Sequence, residues 1–256
     1  RLQSQLTKLL GTSRMESIFS GENDADEKVS LVQLIGLNSD VTDGTEDGRL
    51  QLFALKDGTS VNRFDIQPTE TTFNDDIGSW DVSNVTDMTR MFRTCRYFNQ
   101  DISGWDVSSV TSMNSMFRDC WNFNQDISGW DVSNVTDLGR AFHDARKFNQ
   151  DISGWDVSSV IDMELTFTRA QEFNQDISSW DVSNVTTMDY LFYAAYDFNQ
   201  DISSWDVSNV TTMLEMFELA NGLSDENKCA IHTSFSINDA WPHNWSFHCP
   251  INYSLN

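Results

Sequence analysis

The chain has 256 residues, 39% of them hydrophobic, with 17 Phe and 9 Trp, which suits one elongated domain or two small ones with an aromatic-rich core. Its 39 acidic residues against 16 basic ones give a formal charge of −23, which argues against nucleic acid and anionic membrane surfaces as partners. Three Pro and 12 Gly exclude collagen-like and Pro-rich architectures, and no run of 18 apolar residues is present to cross a membrane as a helix.

The chain opens on Arg1 without a signal-peptide pattern, as expected of a processed or truncated product. Leu2, Leu6, Leu9 and Leu10 form an amphipathic helical pattern, and residues 29–37 (VSLVQLIGL) read as a strand. Residues 50–55 and 61–66, joined through Lys56-Asp57-Gly58, read as a hairpin. Residues 1–70 are therefore expected to act as an N-terminal capping or assembly region, since the ends of a repeat array expose apolar edges.

From residue 71 to 223 one unit recurs. The string FNQDIS-[GS]-WDVS-[NS]-V starts at Phe98, Phe123, Phe148, Phe173 and Phe198, with a looser copy at Phe73, at a constant period of 25. A fixed period with regular apolar anchors indicates a solenoid of about six coils, none able to bury its apolar face alone. Trp80, Trp105, Trp130, Trp155, Trp180 and Trp205 are expected to form a buried column rather than a carbohydrate-stacking platform, because every coil needs a large apolar filler. Within one coil, Met113, Met116, Phe117 and Cys120 fall at i, i+3, i+4 and i+7. That spacing predicts a helix of two to three turns after a short strand and a turn, with Ser108, Ser109 or Thr111 as N-cap.

These units, such as FNQDISGWDVSSVTSMNSMF over residues 98–117, resemble the BspA-type leucine-rich-repeat surface proteins, also described as the mycoplasma lipoprotein-associated repeat. The resemblance covers about residues 71–223, and the tail LSDENKCAIHTSFSINDAWPHNW is similar to tails found in that family. It implies an α/β repeat fold, a leucine-rich-repeat-like right-handed solenoid with N- and C-terminal caps. It also implies a secreted or cell-surface location and a role in adhesion or recognition.

Residues 224–256 read as a loop-rich C-terminal cap, with a helix over 225–235. Cys229 and Cys249 flank it and are expected to form a disulfide. Zinc competes for the same sulfurs, with His232, His243 and His248 as further donors, although the spacing fits no established zinc pattern. Cys95 and Cys120 lie one period apart. Adjacent coils at about 4.8 Å would allow a bridge between them, but parallel side chains lengthen the Cβ separation and two buried thiols are the alternative.

Two Asp columns run along the repeats, one through Asp101 and Asp126, the other through Asp106 and Asp131. Stacked like charges must be offset, either by turn amides or by a cation between coils, for which Ca2+ is the choice. No other cofactor is required. The ladder Asn99, Asn124, Asn149, Asn174 and Asn199 reads as structural. Asn84, Asn134, Asn184, Asn209, Asn244 and Asn252 each open an N-x-[ST] sequon, an acceptor in a glycosylating host.

No G-x-S-x-G, Walker, H-E-x-x-H or dinucleotide motif is present, and His143 has no counterpart in other copies, which suits a surface residue. The expected function is non-enzymatic: a secreted or cell-surface protein for adhesion, recognition or matrix, with proteins or glycans as partners. The alternative is a protomer that binds copies of itself end to end through its caps, forming a filament.

Overall fold

The computed structural model describes residues 31–38, 48–56 and 59–66 as backbone, and residues 77–250 in full. The chain divides into two compact units, Arg1–Thr72 and Phe73–Asn256. The helical pattern of Leu2 to Leu10 lies outside the described residues.

In the first unit three strands form an antiparallel sheet, β1 (Leu31–Asn38), β2 (Gly48–Lys56) and β3 (Thr59–Ile66), in the order β1-β2-β3. β2 and β3 pair from Leu50↔Ile66 to Lys56↔Thr59, with an irregularity between Ala54 and Leu55. The intervening sequence is Asp57-Gly58, a pair suited to a two-residue hairpin. β1, within the apolar segment read as a strand, pairs with β2 in the register Leu31↔Leu55 to Asn38↔Gly48.

In the second unit the repeats meet through backbone hydrogen bonds at a 24-residue offset. Met113, Ser115, Phe117 and Asp119 donate to the carbonyls of Asp137, Gly139, Ala141 and His143, at 2.8–2.9 Å. The amides between them close turns instead: Met116 N donates to Met113 O at 3.0 Å, and Arg118 N to Ser115 O at 3.2 Å. Single parallel bridges such as Ser112↔Asp137 and Asp137↔Asp162 mark the same edge in successive repeats.

The helix expected over Met113 to Cys120 is thus a run of turns. Two residues in every repeat take positive φ, Ser115 at 57° and Asp119 at 62° in this copy, and an α-helix tolerates neither. Alternate amides face the next repeat, so they are unavailable to an i→i−4 ladder. The apolar spacing could not reveal this, because three-residue turns also bury Met113, Met116, Phe117 and Cys120. Among the described residues no strand forms ahead of this run either, and the only bridging there is at single residues such as Ser112, which pairs with both Asp87 and Asp137.

The core is a set of ring columns. Phe117 stacks on Phe92 and Phe142 at 5.6 Å, and Phe98 on Phe123 at 5.8 Å. Trp105, Trp130, Trp155, Trp180 and Trp205 are 3–4% exposed, while Trp80, at the start of the column, is half-buried. Each buried indole also ties its repeat to the preceding one: Trp155 Nε1 donates to Ile127 O at 3.1 Å, and Trp180 Nε1 to Ile152 O at 3.0 Å. A buried indole N–H needs such a partner.

The Asn ladder is structural. Asn124 Oδ1 accepts from Asn149 N at 2.9 Å, and Asn149 Oδ1 from Asn174 N at 2.9 Å. The ladder closes where Ser224 N donates to Asn199 Oδ1 at 2.8 Å.

After the last repeat comes α1 (Asp225–Phe235), over the span its sequence suggests. Ser224 caps it by accepting from Asn227 N, and Ile231 and Phe235 bury its inner side. Asn238 Nδ2 donates to Val207 O at 2.7 Å and Val210 O at 2.9 Å, which joins the segment after α1 to the last repeat.

Candidate recognition surface

Constant residues build the core, so chemistry particular to this chain must lie where the copies differ. Those positions are concentrated in the turn runs 88–97, 113–122, 138–147, 163–172, 188–197 and 213–222. Eight of the nine Lys and Arg residues within 77–250 lie in these runs, the exception being Lys228.

Trp121 is the centre of the basic part. Arg96 and Arg146 place their guanidinium carbons 4.3 and 4.0 Å from its ring, within cation–π range. Trp121 Nε1 donates to Asp144 Oδ2 at 3.2 Å, and Arg146 holds the same carboxylate through Nε at 2.9 Å and Nη2 at 3.1 Å. Asp144 is 5% exposed and compensated by these donors. Arg140 Nη2 meets Glu164 Oε1 at 2.7 Å in the next repeat. His143, expected at the surface, is half-buried with Nδ1 unpartnered, and burial followed by the charge of Arg118 holds its pKa below the ordinary value. Farther along, Tyr190 and Tyr193 meet edge to face at 5.8 Å. The repeat spacing alone did not draw attention to Arg96, Trp121 and Arg146. Comparing the copies position by position would have, since Arg96, Trp121 and Arg146 occupy one column whose next members are Gln171, Tyr196 and Asn221.

The Asp columns serve turns. Asp101 Oδ1 accepts from Ser103 N at 3.0 Å and Ser103 Oγ at 2.7 Å, and Asp106 treats Ser108 likewise at 3.1 and 2.6 Å. Asp126 accepts from Ser128 N at 2.9 Å, and Asp131 from Ser133 N and Oγ at 3.1 and 2.6 Å. The Ser hydroxyls, then the Ser amides, hold Asp101, Asp106 and Asp126 below the usual carboxylate range. Among the described residues no three His, Cys, Asp or Glu side chains come together as a metal group.

Cys229 and Cys249 are joined, with Cα atoms 4.8 Å apart. The sulfurs weighed as zinc ligands are therefore bonded to each other, while His248 Nδ1 meets Asp225 Oδ1 at 2.6 Å and His232 Nδ1 accepts from Trp241 Nε1 at 3.0 Å. Cys95 and Cys120 remain separate buried thiols, correcting the expected bridge. The Cys120 thiol is directed at the preceding backbone, with Sγ 2.8 Å from Phe92 O. Burial pushes the Cys95 thiol up to about 12 and raises Cys120 as well, so both stay protonated.

Asn84, Asn134, Asn184, Asn209 and Asn244 are exposed, and Asn252 lies outside the described residues. The amides of Asn134 and Asn184 each donate to a Ser carbonyl of the preceding repeat at 2.8 Å.

His243 carries a pH-dependent element. Its ring lies 4.6 Å from Trp245 and 5.1 Å from Trp241, Nε2 is buried without a partner, and burial lowers its pKa from 6.5 to about 4. The folded form thus holds His243 neutral, while the unfolded chain takes up a proton below pH 6.5. Its contribution to stability is full above that pH and is lost as the pH falls towards 4. An acid titration followed by Trp fluorescence is expected to show the C-terminal segment loosening in this window. A His243→Gln variant should lack that step, and an unchanged titration would remove His243 from the account.

No curated protein and no solved structure matches the chain. A family described as "Mycoplasma protein of unknown function, DUF285" matches residues 62–172 and 151–240, the second stretch overlapping the first. These matches take in the whole repeat array and α1, and on them the chain belongs to that family.

Proposed function

We propose that the chain is a secreted or cell-surface recognition protein of the BspA type, wound as a right-handed leucine-rich-repeat-like solenoid and acting without catalysis. The observation that carries this reading is the division of labour within each repeat. Trp, Phe, Ile and Asn columns are invariant or nearly so and hold the array together, while the turn runs present Arg, Trp, Tyr and carboxylates that change from copy to copy. The disulfide accords with an oxidising, extracellular compartment.

Binding of the labelled full chain to arrayed glycans, to matrix proteins (collagen, fibronectin, laminin) and to intact cultured animal cells tests this reading. Saturable binding is expected, reduced at least about tenfold by Arg96→Ala with Trp121→Ala, as for an Arg and an aromatic hot spot. Gly104→Ala, which adds a Cβ with nothing within 4 Å, should bind as wild type. No binding to any of these probes, or equal loss in the control, overturns it.

One observation favours the filament reading. The ladder between repeats runs one way, and Glu215 and Leu219, exposed residues that begin the next rung, have no backbone acceptor for their amides among the described residues. End-to-end growth on that row gives particles whose mass rises without limit with concentration.

A further inference from the structure

The varied turn runs are not uniformly charged. The first three, at 88–97, 113–122 and 138–147, hold seven basic and two acidic residues, a net +5. The last three, at 163–172, 188–197 and 213–222, hold one basic and six acidic residues, a net −5. This separation stands out in a chain whose overall charge is −23.

These residues share one surface. Successive runs are hydrogen-bonded rung to rung, as from Ser115 N to Gly139 O at 2.8 Å and from Arg140 N to Glu164 O at 2.8 Å. Side chains bridge neighbouring runs in the same order: Arg96 and Arg146 flank Trp121, and Arg140 reaches Glu164. The same runs carry four of the seven exposed large apolar side chains among the described residues, Tyr97 at 49%, Tyr196 at 44%, Leu214 at 50% and Leu219 at 44%. An aromatic and apolar surface ringed by charge is the composition of an interface rather than of a solvated face.

We propose that this surface recognises a second copy of the chain, the two pairing face to face and antiparallel about a two-fold axis. The proposal rests on the recognition reading above and names the partner of that surface. An isologous pair sets the first run against the sixth, the second against the fifth and the third against the fourth. The net charges that meet are then +3 with −2, 0 with −2, and +2 with −1, so no pairing is repulsive. Tyr97 in the first run meets the run carrying Leu214 and Leu219, and Trp121 in the second meets the run carrying Tyr196. Parallel pairing would instead set +3 against +3 and −2 against −2. A small anionic ligand would suit the first three runs and leave the acidic three unexplained. A second copy accounts for both halves, and for the opposite signs lying on one surface.

A charge exchange tests this. One variant, Arg93→Glu with Arg96→Glu, reverses the first run, and the other, Glu215→Lys with Glu218→Lys, reverses the sixth. By sedimentation velocity of the full chain, wild type is expected to dimerise with concentration and to stop at two copies. Each variant alone should weaken pairing by on the order of a hundredfold, because like charges then face each other. An equimolar mixture of the two should recover the dimer, since each reversed run meets its reversed partner. Recovery also shows that both variants are folded. Wild type that is monomeric at all concentrations, assemblies beyond two copies, or variants that never recover on mixing each overturn the proposal. The glycan, matrix and cell probes run on the same variants separate the two readings. Binding lost in the variants while wild type is monomeric keeps the recognition surface and rejects the self-pairing, and a dimer that binds no probe does the reverse.

Discussion

Replacing Trp155 with Ala is expected to cost about 3–5 kcal/mol of folding stability, as for other buried aromatic truncations. Trp155 is 4% exposed, and its ring packs 6.1 Å from Phe142. The loss is more than apolar area, because Ile127 O would lose the indole N–H now 3.1 Å away in the middle of the array. An array of repeats depends on its nearest-neighbour interfaces. Removing one indole therefore weakens the junction between the repeats that begin at Phe123 and Phe148, and urea unfolding followed by circular dichroism should lose its single transition. Gly154→Ala, at the adjacent position, places a Cβ where nothing lies within 4 Å and is expected to stay within about half a kcal/mol of wild type. A Trp155→Ala effect as small as that would take the Trp column out of the core.

The second large effect is expected at the other end of the array. Cys229 and Cys249 are 20 residues apart, and in the chain-entropy account closing a loop of that length constrains the unfolded chain by about 3 kcal/mol. Opening the bridge with a Cys229→Ser, Cys249→Ser pair should release the segment that places Trp245 5.4 Å and Trp241 6.1 Å from Phe217, the last ring of its Phe column. The expected signature is local: limited proteolysis between residues 236 and 250 appears, and near-ultraviolet Trp dichroism falls, while the repeats stay resistant. The helix α1 should persist longer than the loop after it, because Asn227 Nδ2 still donates to Asn199 O and Oδ1 at 2.9 Å. Unchanged proteolysis and melting after reduction would show that packing on Phe217 alone secures this segment.

What was legible beforehand followed from periodicity. A strict 25-residue recurrence places equivalent residues in columns whatever the local backbone does, so the buried Trp positions and the structural Asn ladder could be read from residue type and spacing. The helix α1 forms over the span read from the sequence, and the structure supplies its local reason, the Ser224 cap ahead of Asp225 and Glu226 in its first turn. The residues from Met113 to Cys120 were not legible, because an i, i+3, i+4, i+7 apolar pattern is shared by a helix and by consecutive three-residue turns. Only the neighbouring repeat decides between them, by accepting the alternate amides that a helix would have used within itself.

The same holds for the cysteines. Column spacing allows a Cys95–Cys120 bridge, but a thiol directed along the stack meets the backbone of Phe92 before it meets another sulfur. Composition and the 25-residue period determined that this chain is an acidic repeat array with an aromatic core. Tertiary structure determined that its scattered Arg, Trp and carboxylate residues share a surface divided by charge, because residues 25 positions apart become neighbours only when one repeat is laid on the next.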